Sequence, residues 1–181
     1  MIMVSLMELD VKSQHTHAHA LLRECLKKRN IRYDEGTPLV KGRLGKPSLA
    51  EHPDVHFNLS HAKGIAACVV SDSVCGIDCE AVRPYRENVV RRAFSEEEQQ
   101  LLGTVYGEER DRLFTRLWTL KEAYVKALGD GIAYPLNTAS FSFGESGILT
   151  NIEGYRFRQY LIRGGRFVVS VCEKLRGLAG F

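Results

Sequence analysis

Trp118, Glu122 and Lys126 recur every four residues, so a helix through 118–128 would set one carboxylate and one ammonium on neighbouring turns of a single face. Some forty residues earlier, in Gly76-Ile77-Asp78-Cys79-Glu80, the two acids are two apart at the end of an apolar run, and on a strand both project from one side. Three acids and a lysine brought together would make a magnesium site facing a phosphate-bearing ligand.

Each stretch also has a bland reading. Asp78 and Glu80 could be two surface acids at a strand end. Gly76, Ile77 and Cys79 are small or apolar, however, which places the strand inside, where unpaired carboxylates are costly and call for a cation. Oxygen-only donors favour a hard ion such as Mg²⁺, which takes few protein carboxylates and completes its shell with phosphate and water. Glu122 and Lys126 alone would be an exposed helix pair worth at most about 0.5 kcal/mol. The same helix turns Leu117, Leu120, Tyr124, Ala127 and Leu128 to the core and leaves Trp118 and Glu122 at its border, so Glu122 is expected at an interface.

Other candidates are weaker alone. Lys46, in Gly45-Lys46-Pro47, stands on a loop stiffened by proline and suits a phosphate as a compact charge. Ser60 and His61 are expected at a hairpin turn, where they could contact an oxyanion. No Walker spacing accompanies them. His15, His17 and His19 alternate like a metal tract, but on a helix they spread over different faces. The five cysteines, Cys25, Cys68, Cys75, Cys79 and Cys172, offer no zinc spacing.

The elements that must position these groups follow from periodicity. An opening strand is expected over 1–10, then a helix over 16–29 and a loop punctuated by Gly36, Pro38, Gly42, Gly45 and Pro47. Residues 55–59 and 64–71 read as an antiparallel pair joined at 60–63. Ser95 and Glu98 form a capping box that starts a helix over 95–102, and a longer helix over 109–128 is stopped by Gly129-Asp130-Gly131. Strands are expected over 139–143, 155–162 and 167–172. This order suggests α+β with two similar lobes, 1–74 and 75–181, meeting near residue 75.

At 181 residues and 44% hydrophobic, the chain folds without staples, and an odd cysteine count argues for a reduced cytoplasm rather than a disulfide framework. The N-terminus is apolar but lacks a basic leader, and no apolar run approaches the roughly 20 residues needed to cross a bilayer, so no membrane association is expected. A net charge of +3 is too small to argue for nucleic acid. It is uneven, with seven Lys or Arg from Lys27 to Lys46 against Asp34 and Glu35, a cluster that would attract an anion.

Gly45-Lys46-Pro47, Asn58-Leu59-Ser60-His61, Gly76-Ile77-Asp78-Cys79-Glu80, Phe94-Ser95-x-x-Glu98 and Trp118-Thr119-Leu120-Lys121-Glu122-Ala123-x-x-Lys126 occur in this order. Together, over about 40–135, they resemble the Sfp-like class of 4′-phosphopantetheinyl transferases. The resemblance implies a pseudo-twofold α+β fold of two lobes, with coenzyme A and Mg²⁺ between them. It implies Asp78, Glu80 and Glu122 as metal ligands, Glu98 as general base, Lys126 beside the reacting phosphates, and Lys46, Ser60 and His61 as coenzyme A contacts. The first lobe is shorter than the class pattern, and His19 stands where an arginine is usual.

The implied reaction moves the 4′-phosphopantetheine arm of coenzyme A to a serine of an apo acyl or peptidyl carrier protein, by a self-sufficient monomer. Two rivals remain: a non-catalytic carrier-binding or nucleotide-sensing protein on the same fold, and a metal-dependent phosphohydrolase.

Overall fold

A computed structural model describes residues 1–6, 11–42, 44–129 and 134–176. The chain runs β1 (Ile2–Leu6), α1 (Val11–Lys27), β2 (Leu39–Lys41), β3 (Pro47–Leu49), β4 (His56–Ala62) and β5 (Ile65–Ser71). It continues β6 (Cys75–Ala81), α2 (Glu87–Ala93), α3 (Glu96–Gly103), α4 (Gly107–Leu128), a 3-10 turn at Leu136–Thr138, β7 (Phe141–Gly144), β8 (Gly147–Thr150), β9 (Tyr155–Ile162) and β10 (Phe167–Lys174).

The two halves repeat one topology. Each has a three-stranded antiparallel sheet in which the first strand pairs with the last and the last with the one before it, giving β1-β5-β4 and β6-β10-β9. Each also carries a small hairpin, β2-β3 or β7-β8, and one long helix against its sheet, α1 on β4 and β5, α4 on β6 and β10. This is the expected pseudo-twofold α+β fold of two lobes.

Strand alternation decides what faces what. On β5, Ala66, Cys68 and Val70 pack under α1 with Leu22, Cys25 and Leu26. Ile65, Ala67 and Val69 face the other way, onto Ile77 and Cys79 of β6 and Val169 and Val171 of β10. The apolar residues of β6 therefore line the seam between the sheets, and the alternate residues Gly76, Asp78 and Glu80 turn to α4. Each fully buried Ile or Val in the seam is worth about 1.5–3 kcal/mol, which fixes the register.

Gly76 sets the distance between β6 and α4. A Cβ there would stand 2.1 Å from the carbonyl oxygen of Ala123 and 2.4 Å from the amide of Ala127. Helix α4 meets the strand through Thr119, Ala123 and Ala127, small residues one turn apart, and Thr119 is hydrogen-bonded to Ser170 of β10 at 2.8 Å. The helix thus rests almost on the backbone of β6, and the side chains that flank this stripe overhang the strand.

Where β4 runs beside β6, side chains stand in for a backbone ladder. Asn58 Oδ1 accepts from the Ile77 amide at 2.9 Å and Ser60 Oγ from the Cys79 amide at 3.2 Å.

Several elements differ from the sequence reading. Ser60 and His61 lie inside β4, not at a turn, because the hairpin closes over Lys63 and Gly64 alone, with Gly64 at φ 87°. The long helix ends on Gly129, left-handed at φ 77°, as expected of a glycine stop. Asp130 and Gly131 of that signal, and the 7–10 end of the opening strand, lie outside the described residues.

Candidate functional site

Asp78 is 5% exposed. Its Oδ1 accepts from the Lys126 ammonium at 2.6 Å and from the Ser60 hydroxyl at 2.9 Å. Its Oδ2 is buried and has no hydrogen-bond partner among the described residues. Leaving a buried carboxylate oxygen unpartnered costs on the order of 1–3 kcal/mol, so the site stores a demand for a donor or a cation.

The neighbours sharpen that demand. Burial pushes the Glu122 carboxyl up, and the Asp78 charge adds to it against Lys126 and Arg83. Glu80 is likewise raised by burial first; Arg83, 3.5 Å away, opposes the shift, and Asp78 and Glu122 add to it. For Lys126 burial pulls downward, but Asp78, through its charge and its hydrogen bond, and then Glu122 hold the ammonium above the ordinary lysine value. Three carboxylates in mutual electrostatic range share two cations, Lys126 and Arg83.

Among the described residues no three His, Cys, Asp or Glu side chains stand as a ready-made metal cage. In this arrangement the lysine ammonium takes one oxygen of Asp78. The orphaned Oδ2, the oxygen-only donor set and the crowding of like charge nevertheless fit a hard divalent cation, which would partner the first and neutralise the last.

Beside these groups lies a cavity of about 500 Å³, with Lys46 and Asn58 of the first half on one side and Trp118, Glu122, Lys126 and Leu136 of the second on the other. Lys46 borders it but is not a free charge. Its ammonium donates to the carbonyls of Cys75 at 2.8 Å and Ala127 at 2.9 Å, tying the first strand of the second sheet to the last turn of α4. Burial lowers its pKa. Ser60, 6% exposed, is committed to Asp78, Lys126 and the Cys79 amide. His61 is exposed, and its ring stands 6.1 Å from that of His15. Burial first, then the neighbouring His15 and Lys126, lower its pKa and favour the neutral imidazole.

The structure does not bring Glu98 to this group. Glu98 is 1% exposed and closes the capping box with Ser95. Its Oε2 accepts from the Ser95 amide at 2.9 Å and is ion-paired with Lys121 at 2.7 Å, and its Oε1 accepts from the Phe141 amide at 3.0 Å. A general base needs reach to the proton it takes. Both Glu98 oxygens are occupied inside the protein.

Three contributors escaped the sequence reading. Asn58 carries the backbone link described above. Arg83 pairs with Glu80 while its guanidinium lies 5.4 Å from the Trp118 ring and 5.8 Å from that of Phe114. Lys121, in the Lys121-Glu122-Ala123 motif, is fully buried and ion-paired with Glu98. The alternating histidines are on α1, yet His15 and His19, four apart, share a face with rings 4.6 Å apart, while His17 turns to the Ser5 hydroxyl at 3.1 Å. His19 Nδ1 is 2.7 Å from the Tyr33 hydroxyl.

Comparison with known proteins gives a consistent picture. The family model of the 4′-phosphopantetheinyl transferase superfamily matches residues 74–172. The 4′-phosphopantetheinyl transferase psf-1 of Bacillus pumilus is 37% identical over 106 residues, 59% of this chain and 46% of its own. Sfp of Bacillus subtilis is 33% identical over 103 residues, 57% and 46%. HetI of Nostoc sp. is 42% identical over 101 residues, 54% and 40%. The chain thus spans about half the length of the curated relatives it matches. Among solved structures, a holo-(acyl-carrier-protein) synthase from Bacillus anthracis in complex with CoA (3′,5′-ADP) aligns with TM-score 0.49 at 18% identity, over 57% of this chain and 97% of that one.

Proposed function

Because the chain belongs to the 4′-phosphopantetheinyl transferase superfamily, we propose that it transfers the 4′-phosphopantetheine arm of coenzyme A to a serine of an apo acyl or peptidyl carrier protein. The observation that carries this reading is the buried, unpartnered Oδ2 of Asp78 beside Glu80 and Glu122, at the edge of a cavity with a lysine on its wall.

In the reaction the serine oxygen bonds to the phosphorus that bears the pantetheine arm. The bond from that phosphorus to the bridging diphosphate oxygen breaks, the serine proton passes to a base, and adenosine 3′,5′-bisphosphate leaves. Asp78, Glu80 and Glu122 would hold Mg²⁺, which when bound supplies neutralisation of the diphosphate charge. Lys126, kept protonated by Asp78 and anchored by Ser60, places a second positive charge at the cavity wall for the oxygens of the transferred group. Glu122 lines the cavity, and on geometry its carboxylate oxygen not turned to the cation is better placed than the enclosed Glu98 to take the serine proton. His61, exposed near the end of β4, would contact coenzyme A at the protein surface. Ser60 and Lys46 shape the site, the first through Asp78 and Lys126 and the second through the end of α4.

On this reading 1–74 and 75–181 are the two lobes, with coenzyme A in the cleft between them, in a monomer. All five cysteines are free and buried, which suits a reducing cytoplasm. Among the described residues no helix is long and apolar enough to cross a membrane.

Incubation of the protein with an apo carrier protein, coenzyme A and Mg²⁺, followed by intact mass measurement, tests the reading. A gain of one phosphopantetheine on the carrier is expected. Unchanged carrier mass with tight carrier binding would favour the non-catalytic reading, and cleavage of coenzyme A without carrier the hydrolase.

A further inference from the structure

Lys121 and Glu98 form an ion pair at 2.7 Å in which both side chains are fully excluded from solvent. Removing two charges from water costs several kcal/mol per ion, and apolar replacements of similar volume are often as stable, so stability alone is a weak reason for the pair. What it does contribute is placement.

Both ends grip the same stretch of backbone. The Lys121 ammonium donates to the carbonyl of Leu136 at 2.9 Å and to that of Ala139, and the Glu98 carboxylate accepts from the amide of Phe141. With Glu98 itself, all three ammonium hydrogens of Lys121 have acceptors. The pair therefore holds residues 136–141 against α4 from within. Leu136, the first residue held, lines the cavity.

The second connection is aromatic. The Lys121 ammonium lies 5.3 Å from the Phe94 ring. Phe94 stacks on Trp118 with centroids 6.4 Å apart and planes 16° apart. Trp118 is also a cavity wall, and Glu122 follows Lys121 directly in the chain.

We infer that Lys121 and Glu98 are positioning residues that lock two walls of the cavity, the Leu136 segment and Trp118, in the shape that receives the ligand. This rests on the coenzyme A reading of the cavity for its kinetic arm only. It assigns the motif glutamate to placement instead of proton transfer.

The test compares Lys121→Met, Glu98→Gln and the double variant with the wild type. Without ligand, the folded variants should exchange the amides of 136–141 faster and expose Trp118, the sole tryptophan, to acrylamide quenching. With carrier, KM for coenzyme A should rise on the order of tenfold while kcat stays near wild type, and the double variant should be no worse than either single one. Glu98→Gln is isosteric and keeps one acceptor, so it decides the matter if Lys121→Met does not fold. Unchanged exchange and quenching in a folded variant overturn the inference. So does a Glu98→Gln variant that loses kcat with KM unchanged, which would mark Glu98 as chemical. A wild type that modifies no carrier would refute the transferase reading, whereas the ligand-free arm still decides the clamp.

Discussion

Lys126 holds one oxygen of Asp78 at 2.6 Å while the other oxygen, buried, has no partner among the described residues. The helix and the strand that carry them come from different parts of the chain, and they meet because Gly76 lets α4 lie on β6. A half-satisfied buried carboxylate between two raised glutamates is an unstable arrangement for its own sake. A divalent cation on the free oxygen would make it a stable one. Asp78→Ala should therefore abolish carrier modification while leaving a folded protein, measured by intact mass alongside circular dichroism.

The same electrostatics set a pH signature. Glu80 and Glu122 have raised pKa values, burial being the main cause and Asp78 a contributor. The folded state then binds their protons more tightly than the unfolded chain does. That contribution to stability is complete below the ordinary glutamate value of about 4.3 and is lost as pH rises through the raised values. Mg²⁺ should restore it at neutral pH, by about 2.7 kcal/mol at a hundred times its Kd, and progressively less on acidification as protons compete for the same oxygens. Thermal unfolding across pH with and without Mg²⁺ checks this, and Asp78→Asn should remove most of the Mg²⁺ effect.

Gly76→Ala should be damaging although it adds a single methyl group. The new carbon would lie 2.1 Å from a helix carbonyl, so α4 must move. Overpacking of this kind costs about 1–3 kcal/mol or more. Glu122 and Lys126 move with the helix, so coenzyme A binding should fall further than the stability loss explains. Denaturant unfolding paired with calorimetric titration of coenzyme A separates the two effects.

Much of this site was legible in the sequence, for reasons that mark where legibility ends. A period of two on β6 and of four on α4 fixes which residues share a face, so Asp78 with Glu80, and Glu122 with Lys126, were readable. The capping box of Ser95 and Glu98 was equally local and forms as expected. What the Glu98 carboxylate does beyond its own helix was not local. Its partners Lys121 and Phe141 arrive through tertiary packing of α4 and β7, which no periodicity reports. His61 was misplaced because a two-residue turn left more of the chain in strand than the polar 60–63 stretch suggested. The seven-residue α2 and the short β2, β3 and β8 carry too little pattern to be found.

Lys46→Met distinguishes a tie from a ligand contact. The ammonium satisfies two main-chain carbonyls, and orphaning buried acceptors costs about 1–3 kcal/mol. The variant should lose stability in the absence of any ligand, read as a lower denaturation midpoint. Unaltered stability with a raised KM for coenzyme A would instead mean that Lys46 leaves the carbonyls to bind phosphate.

Crystals grown with coenzyme A and Mn²⁺ in place of Mg²⁺ would locate the ion by its anomalous scattering. One peak is expected within about 2.1–2.2 Å of oxygens from Asp78, Glu80 and Glu122, with the diphosphate on its open side. Bound coenzyme A with no ion at these carboxylates, and Lys126 still seated on Asp78, would contradict it.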